Sequence, residues 1–186
     1  GILLYLLMGL WTRPTEDLDF LAMRIPSEDL QEVLAEVLAL DLEDRLEFQP
    51  GSMSWEDIRE DSGNPCRRFT IPYKFGAKHT HRIKLDMSFG DPVSPRPEYV
   101  ELRPILEGFQ GGTILGYPIE TVLAEKLETL LARGLANTRA KDLFDLWVLS
   151  KTCLGLRMNP VAMALTTTSD YRGTMLRTDY EALLPS

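Results

Sequence analysis

The first half of the chain combines two helical hydrophobic patterns with several segments in which apolar and polar residues alternate. An apolar stretch over residues 2–10 predicts a buried helix that ends before Pro14. Leucine and valine recur at helical spacing over residues 27–40, with Ser27 as the expected N-cap. Period-two alternation predicts strands over residues 17–23, 53–59, 67–75 and 81–89.

The second half is mainly helical in pattern. A short strand is predicted over residues 113–117, and Pro118 favours the start of a helix that Gly134 ends. A second helix is predicted over residues 137–151, and one or two weaker helices follow it. Because the 137–151 helix is apolar almost all round, we expect it to be buried.

The composition is typical of a soluble globular protein without a membrane segment. The chain has 186 residues, of which 44% are hydrophobic and 26% charged, enough for one domain or one domain with a helical extension. Its two cysteines lack the spacing of a zinc site or a disulfide framework, which favours a reducing cytoplasm. The apolar first ten residues are too short to span a bilayer, and no basic segment precedes them.

The charge is unevenly distributed. The net charge of −8 argues against indiscriminate binding of nucleic acids. Residues 65–85 nevertheless contain no acid and six bases. Such a segment either contacts a polyanion or forms a solvated strand face. The six bases are Arg67, Arg68, Lys74, Lys78, Arg82 and Lys84.

Asp17 and Asp19 are the strongest candidates for chemistry. In a strand, residues two apart point to the same side, and two adjacent carboxylates favour a cation between them. Mg²⁺ bound together with nucleotide phosphates is one explanation, and it indicates nucleotidyl transfer. Helix capping or exposure to solvent is the alternative. Asp86 lies on the polar side of a later strand, where it is either a third metal-binding carboxylate or an exposed acid beside Lys84.

Two further charges occupy unexpected positions on helices. Lys126 lies at the edge of an apolar stripe, where it either extends to solvent or binds phosphate. Glu125 and Glu128 fall on the opposite side of that helix. Asp142 shares a face with leucines, so it needs a basic, metal or helix-terminal partner unless the helix dipole alone stabilises it.

Lys141 and Asp145 are expected at the solvent edge of the 137–151 helix. His79 and His81 alternate on one side of a hairpin, but no third ligand lies near them in sequence. They are therefore interpreted as surface residues.

Four segments together resemble a known family. They are the apolar first helix, ArgProThrGluAspLeuAspPhe at 13–20, TyrProIleGluThrValLeuAlaGluLysLeu at 117–127 and ArgAlaLysAspLeuPheAspLeu at 139–146. In this order they look like the AbiEii/AbiGii toxin family of nucleotidyltransferases. The resemblance covers roughly residues 1–150.

The resemblance implies an α+β protein with the polymerase-β-like nucleotidyltransferase fold, a small mixed sheet flanked by helices. The nucleotidyltransferase core would cover residues 1–117, and a helical C-terminal part would cover residues 118–186. The family also implies an NTP substrate and a cognate antitoxin, and some members add nucleotides to the tRNA 3′ end.

The resemblance also implies roles for individual residues. Asp17 and Asp19 would hold Mg²⁺ and the triphosphate, and Asp86 would be the third carboxylate of the wider superfamily. Lys126 would bind a nucleotide phosphate, and Asp142 would be a further catalytic acid.

The start of the sequence differs from the family pattern. The family has a strand and a glycine-containing turn before the apolar helix, and the amides of that turn contact the triphosphate. Only Gly1 matches this motif. Since there is no initiator Met, we expect the sequence to begin inside a longer protein or after a removed tag. A protein that began at Gly1 would lack an edge strand and one wall of the nucleotide site.

Three functions follow from these observations. The first is Mg²⁺-dependent transfer of a nucleotide from an NTP to an acceptor hydroxyl, with Asp86 or Asp142 as proton acceptor. The second is a non-catalytic or truncated relative that binds nucleotide, antitoxin or RNA. The third is a small-molecule nucleotidyltransferase of the aminoglycoside-modifying kind. The segments around Lys126 and Asp142, together with the basic hairpin, favour an RNA-directed enzyme over the third.

Overall fold

The chain divides into two compact units in a computed structural model. The strand unit comprises Thr15–Asp91 with Gly1, and the helical unit comprises Ile2–Pro14 and Pro92–Ser186. Within them, the structure describes residues 3–4, 17–59, 65–76, 79–102, 104, 111–134, 140–153 and 155–176.

Where the structure describes it, the strand unit is a mixed five-stranded sheet with one helix. Strand β1 pairs in parallel with β5, β5 pairs antiparallel with β4, and β4 is bordered in turn by β2 and β3. A short 3₁₀ turn at Pro50–Ser52 separates β2 from β3. The elements are β1 (Asp17–Ala22), α1 (Leu30–Leu38), β2 (Leu46–Phe48), β3 (Ser54–Arg59), β4 (Pro65–Phe75) and β5 (Thr80–Phe89).

The two faces of this sheet differ in chemistry because side chains alternate along each strand. One face carries the core of the unit, in which Leu30 of α1 packs with side chains of β4 and β5. The other face carries most of the charged residues. The buried members of the core are Leu30, Phe69, Ile71, Leu85 and Met87.

In its described residues, the helical unit contains a β-hairpin and three helices, and Leu3 and Leu4 are also helical. Its core includes Leu4, Leu123, Leu149 and Val161. No helix among the described residues is long and apolar enough to cross a membrane. The elements are β6 (Glu98–Leu102), β7 (Gly112–Gly116), α2 (Ile119–Arg133), α3 (Ala140–Thr152) and α4 (Met158–Arg172).

Most of the predicted elements are confirmed, and the α+β class with them. Strands β2 and β6 were not predicted. Strand β2 has only three residues and owes its conformation to pairing with the end of β4. The predicted helix over residues 2–10 lies mostly outside the described residues.

Two local predictions are wrong. Ser27 does not cap α1: the N-cap position is Asp29, without a side-chain cap bond, and the Ser27 hydroxyl donates to Glu28 instead. Helix α3 is not buried all round, since one side exposes three large apolar residues. Their exposed fractions are 47% for Leu143, 42% for Phe144 and 59% for Trp147.

Candidate functional site

The strand unit places two carboxylates at neighbouring positions on adjacent strands. In the parallel β1–β5 pairing, Asp19 lies opposite Asp86 and Asp17 lies opposite Lys84. Residues paired in this way have their side chains on the same face of the sheet. Asp19 is exposed and Asp86 is buried. The structure therefore brings Asp19 and Asp86 together, whereas the side chain of Asp17 lies outside its described part.

Asp86 is held by an arginine from the strand on its other side. Arg68 is its cross-strand neighbour on β4. Its Nε donates to Oδ1 at 2.7 Å and its Nη2 donates to Oδ2 at 2.6 Å. This two-point contact balances the charge of a carboxylate that is only 12% exposed. The expectation of an exposed acid beside Lys84 is therefore wrong.

Arg68 was not predicted as a site residue, although strand alternation places it on the charged face of the sheet. In β4, the residues alternating with buried Phe69 and Ile71 point to the charged face. Arg68 is one of them. Only the pairing of β4 with β5 shows which acid it meets.

The donor set of this face suits a hard divalent cation. Mg²⁺ is usually bound by one or two carboxylates, with substrate phosphates and water completing its shell. Asp19 and Asp86 supply two carboxylates, and each oxygen of Asp86 keeps a lone pair beyond its bond to Arg68. Across the described residues, no group of three or more His, Cys, Asp or Glu residues could hold a metal ion. Asp19 and Asp86 therefore fit a Mg²⁺ ion whose remaining ligands would be water or phosphate.

The two histidines take no part in this arrangement. His79 and His81 are both exposed, as predicted for surface residues. The ring of His81 lies 5.4 Å from that of Tyr73, measured between ring centroids, on the side opposite to Asp86.

In the helical unit, Lys126 is enclosed by two carboxylates. Its Nζ lies 2.9 Å from Oδ1 of Asp142 and 2.7 Å from Oδ2 of Asp145. The side chains of Lys126, Asp142 and Asp145 are 13%, 7% and 2% exposed. We call these three residues the lysine cluster. Of the alternatives for Asp142, the structure shows a basic partner, and Lys126 does not extend to solvent.

Asp145 corrects the sequence analysis, which placed it at the solvent edge. Residues three apart on a helix are neighbours, so Asp142 and Asp145 lie on the same side of α3 and both reach α2. The opposite side of α3 carries the exposed Phe144 and Trp147. The motif had two acids at this spacing, but the sequence did not show which side of α3 packs on α2.

Helix α2 carries a second buried ion pair on another side. Arg172 of α4 donates from Nη1 to Oε2 of Glu128 at 2.7 Å, and the Thr174 hydroxyl donates to Oε1. Gly173 has a φ of +69°, which reverses the chain after α4 and lets the Thr174 amide bond to the Ser169 carbonyl. The side of α2 that carries Glu128 is therefore covered by α4, which the apolar stripe alone did not reveal.

Gly1 and Lys126 were both predicted to contact the nucleotide. Gly1 lies outside the described residues. The Lys126 amine donates one hydrogen bond to Asp142, and Asp145 lies within ion-pair distance of it. The predicted role of Lys126 in binding a nucleotide phosphate stays a prediction.

Comparison with known proteins gives two matches. The family model described as nucleotidyl transferase AbiEii toxin, type IV toxin–antitoxin system, matches residues 1–185. The structure resembles MenT4, a nucleotidyltransferase toxin from Mycobacterium tuberculosis H37Rv, with a TM-score of 0.61 and 20% sequence identity. This match covers 96% of the present chain and 60% of MenT4. No curated protein matches the sequence.

The match to MenT4 concerns the fold, and the match to the family model concerns the family. At 20% identity, the likeness to MenT4 shows the fold, and the predicted nucleotidyltransferase fold is thereby confirmed. The chain spans about 60% of the length of MenT4. The family model covers nearly every residue, and it matches the family that the sequence segments resemble. The chain therefore belongs to the AbiEii family of nucleotidyltransferase toxins of type IV toxin–antitoxin systems.

Proposed function

We propose that this protein transfers a nucleotide from an NTP to an acceptor hydroxyl in a Mg²⁺-dependent reaction, with the 3′ end of a tRNA as acceptor. The proposed localisation is the cytoplasm, and the proposed partner is a cognate antitoxin. The observation that supports this most is the register of β1 on β5, which sets the exposed Asp19 beside the buried Asp86.

The strand residues have different proposed roles because they differ in solvent exposure. Asp19 is exposed, while Asp86 is held in one orientation by two bonds to Arg68. Asp19 and Asp86, with Asp17 from the same strand, would hold Mg²⁺, which supplies neutralisation of the triphosphate and activation of the attacking hydroxyl. Because Arg68 already orients the Asp86 side chain, Asp86 would lose little conformational entropy when it holds Mg²⁺.

The proposed reaction forms one bond and breaks one bond. The acceptor oxygen bonds to the α-phosphorus, and the bond from that phosphorus to the bridging oxygen breaks, so that pyrophosphate leaves. The hydroxyl proton passes to a lone pair of Asp86 that Arg68 does not use.

Lys126 is proposed to bind a nucleotide phosphate through its amine. Asp142 accepts a hydrogen bond from the amine and Asp145 forms an ion pair with it, so both hold the amine in place. A lysine held in this way presents its charge without the entropy cost of ordering a mobile side chain. In this proposal, Asp142 and Asp145 are positioning residues.

A labelling assay tests the proposed function. Full-length protein is incubated with each radioactive NTP, Mg²⁺ and total tRNA, as wild type and as Asp19→Asn. The matched control is Glu47→Gln, because Glu47 is an exposed acid of β2 on the same face of the sheet. We expect labelled RNA with wild type and Glu47→Gln and none with Asp19→Asn.

Two results would overturn the proposal. One is wild-type labelling by an Asp19→Asn variant that unfolds at the same urea concentration as wild type. The other is calorimetric binding of NTP and Mg²⁺ by wild type without any labelled product, which indicates the non-catalytic relative.

A further inference from the structure

The charged face of the strand unit changes from acidic to basic along β5. Asp86, Lys84 and Arg82 occupy alternate positions of the strand and therefore share this face. Lys74 joins them from β4, opposite Thr80. Asp86 is buried, whereas Lys84 and Arg82 are exposed and Lys74 is partly exposed. We call Lys74, Arg82 and Lys84 the basic stripe.

The basic stripe is not neutralised by the part of the chain that the structure describes. There, none of its three side chains forms an ion pair or hydrogen bond, in contrast to Arg67, Arg68 and Lys126. Across β4, Arg82 faces Pro72 and Lys84 faces Thr70, neither of which is charged.

Two acids occur beside the basic stripe at the level of strand pairing. Glu47 of β2 is the cross-strand neighbour of Lys74, and Asp17 of β1 is that of Lys84. Glu47 is exposed and does not lie within ion-pair distance of Lys74. Arg82 has no acidic neighbour in the described pairing, so it is the least compensated of the three cations.

The spacing of the stripe suits an extended ligand rather than a compact one. At about 3.3 Å per strand residue, Lys84 lies roughly 7 Å and Arg82 roughly 13 Å along β5 from Asp86. A row of cations that begins near an exposed carboxylate is suited to the repeated negative charges of a nucleic-acid backbone. Proteins that bind single-stranded nucleic acids use such basic surfaces to follow the backbone.

We propose that the basic stripe binds the backbone phosphates of the acceptor RNA, near its single-stranded end, so that the terminal hydroxyl reaches Asp19 and Asp86. This inference rests on the proposed function, because it assigns an acceptor site on the same sheet face. The net charge of −8 disfavours non-specific binding of RNA to the protein as a whole. The stripe therefore sets both the place and the direction of the RNA.

Salt-dependent RNA binding tests the inference without any turnover. A fluorescein-labelled single-stranded oligoribonucleotide is titrated with full-length protein at several NaCl concentrations, without NTP or Mg²⁺, and anisotropy is measured. The variant is Arg82→Gln with Lys84→Gln. The matched control is Lys141→Gln with Lys151→Gln, which removes the same charge from exposed positions of α3.

We expect the double variant of the stripe to lower the slope of log K against log [NaCl] by about 1.4, because each phosphate contact on a single strand contributes about 0.7. The control should keep the wild-type slope. An unchanged slope in the stripe variant, an equal loss in the control, or no binding by wild type would each overturn the inference.

Further measurements separate RNA from other anions and from the proposed function. Calorimetric affinity for NTP with Mg²⁺ should be the same in wild type and the stripe variant. If it falls while the RNA slope stays unchanged, the stripe binds triphosphate instead. Displacement of RNA by polyglutamate as effectively as by unlabelled RNA would indicate an acidic protein partner. Because the titration contains no NTP, its result stands even if the transfer assay fails.

Discussion

The strand unit and the helical unit both set carboxylates beside a cation, but they bury these charges to different extents. In the strand unit, Asp86 is buried, but its partner Arg68 is 29% exposed and Asp19 beside them is exposed. In the helical unit, Lys126 lies between Asp142 and Asp145 with little contact with water. The first arrangement includes an exposed carboxylate, whereas the second joins two packed helices and leaves 13% of the Lys126 side chain exposed.

This difference teaches that the same residue types take on different roles according to burial. A buried charge that loses its partner costs several kcal/mol, whereas an exposed ion pair contributes about 0–1 kcal/mol. Substitutions in the lysine cluster should therefore lower stability in addition to impairing the proposed phosphate binding. Substitutions at Asp19 should act mainly on binding and chemistry.

The largest effect is expected for Lys126→Met. It leaves two carboxylates buried without their cation and should lower the free energy of unfolding by about 3–5 kcal/mol. Urea denaturation followed by circular dichroism measures this change. The control is Lys141→Met, at an exposed position of α3, where a change below about 0.5 kcal/mol is expected.

A triple variant tests whether unpaired charge is the cause. Lys126→Met combined with Asp142→Asn and Asp145→Asn removes all three charges, so it should recover part of the lost stability. A triple variant less stable than Lys126→Met alone would contradict this explanation, and so would a loss below about 1 kcal/mol in Lys126→Met itself.

An intermediate effect is expected for Arg68→Met. It leaves Asp86 with reduced charge compensation, but the pair is more exposed than the lysine cluster, so we expect a loss of about 1–3 kcal/mol in the same denaturation experiment. Arg82→Met serves as its control, because Arg82 is an exposed strand arginine on the same face. Equal losses in the two variants would show that the contact with Asp86 contributes nothing specific.

The smallest effect on stability is expected for Asp19→Asn. Asp19 is exposed, so the free energy of unfolding should change by less than about 1 kcal/mol, although nucleotidyl transfer is lost. Thermal unfolding and the labelling assay are measured on the same preparation. If Asp19→Asn lost as much stability as Lys126→Met, the proposed difference between the two units would be contradicted.

Much of the fold and part of the candidate site could be predicted from the sequence. The alternation in β4 and β5 gave the strands and their faces, and the charges at Lys126 and Asp142 were recognised as unusual for an apolar helix side. Strand β2 was missed because three residues carry too little pattern. Arg68 was missed because a strand pattern gives the face of a residue but not the neighbouring strand.

Asp145 shows the same limit in a helix. Helical spacing relates it to Asp142, yet whether that side meets solvent or another helix depends on packing. The exposed Trp147 and Phe144 show the converse, since apolar composition alone indicated burial.

By itself, the sequence determined the α+β pattern, the segments that resemble the family, and the local periodicity that orients each side chain. These properties arise within a few residues of one another, where the geometry of strands and helices is fixed. The tertiary structure alone decided which charges meet: Asp19 with Asp86, Asp86 with Arg68, and Lys126 with two acids. These contacts join residues on different elements, so they depend on strand register and helix packing, which no local pattern encodes.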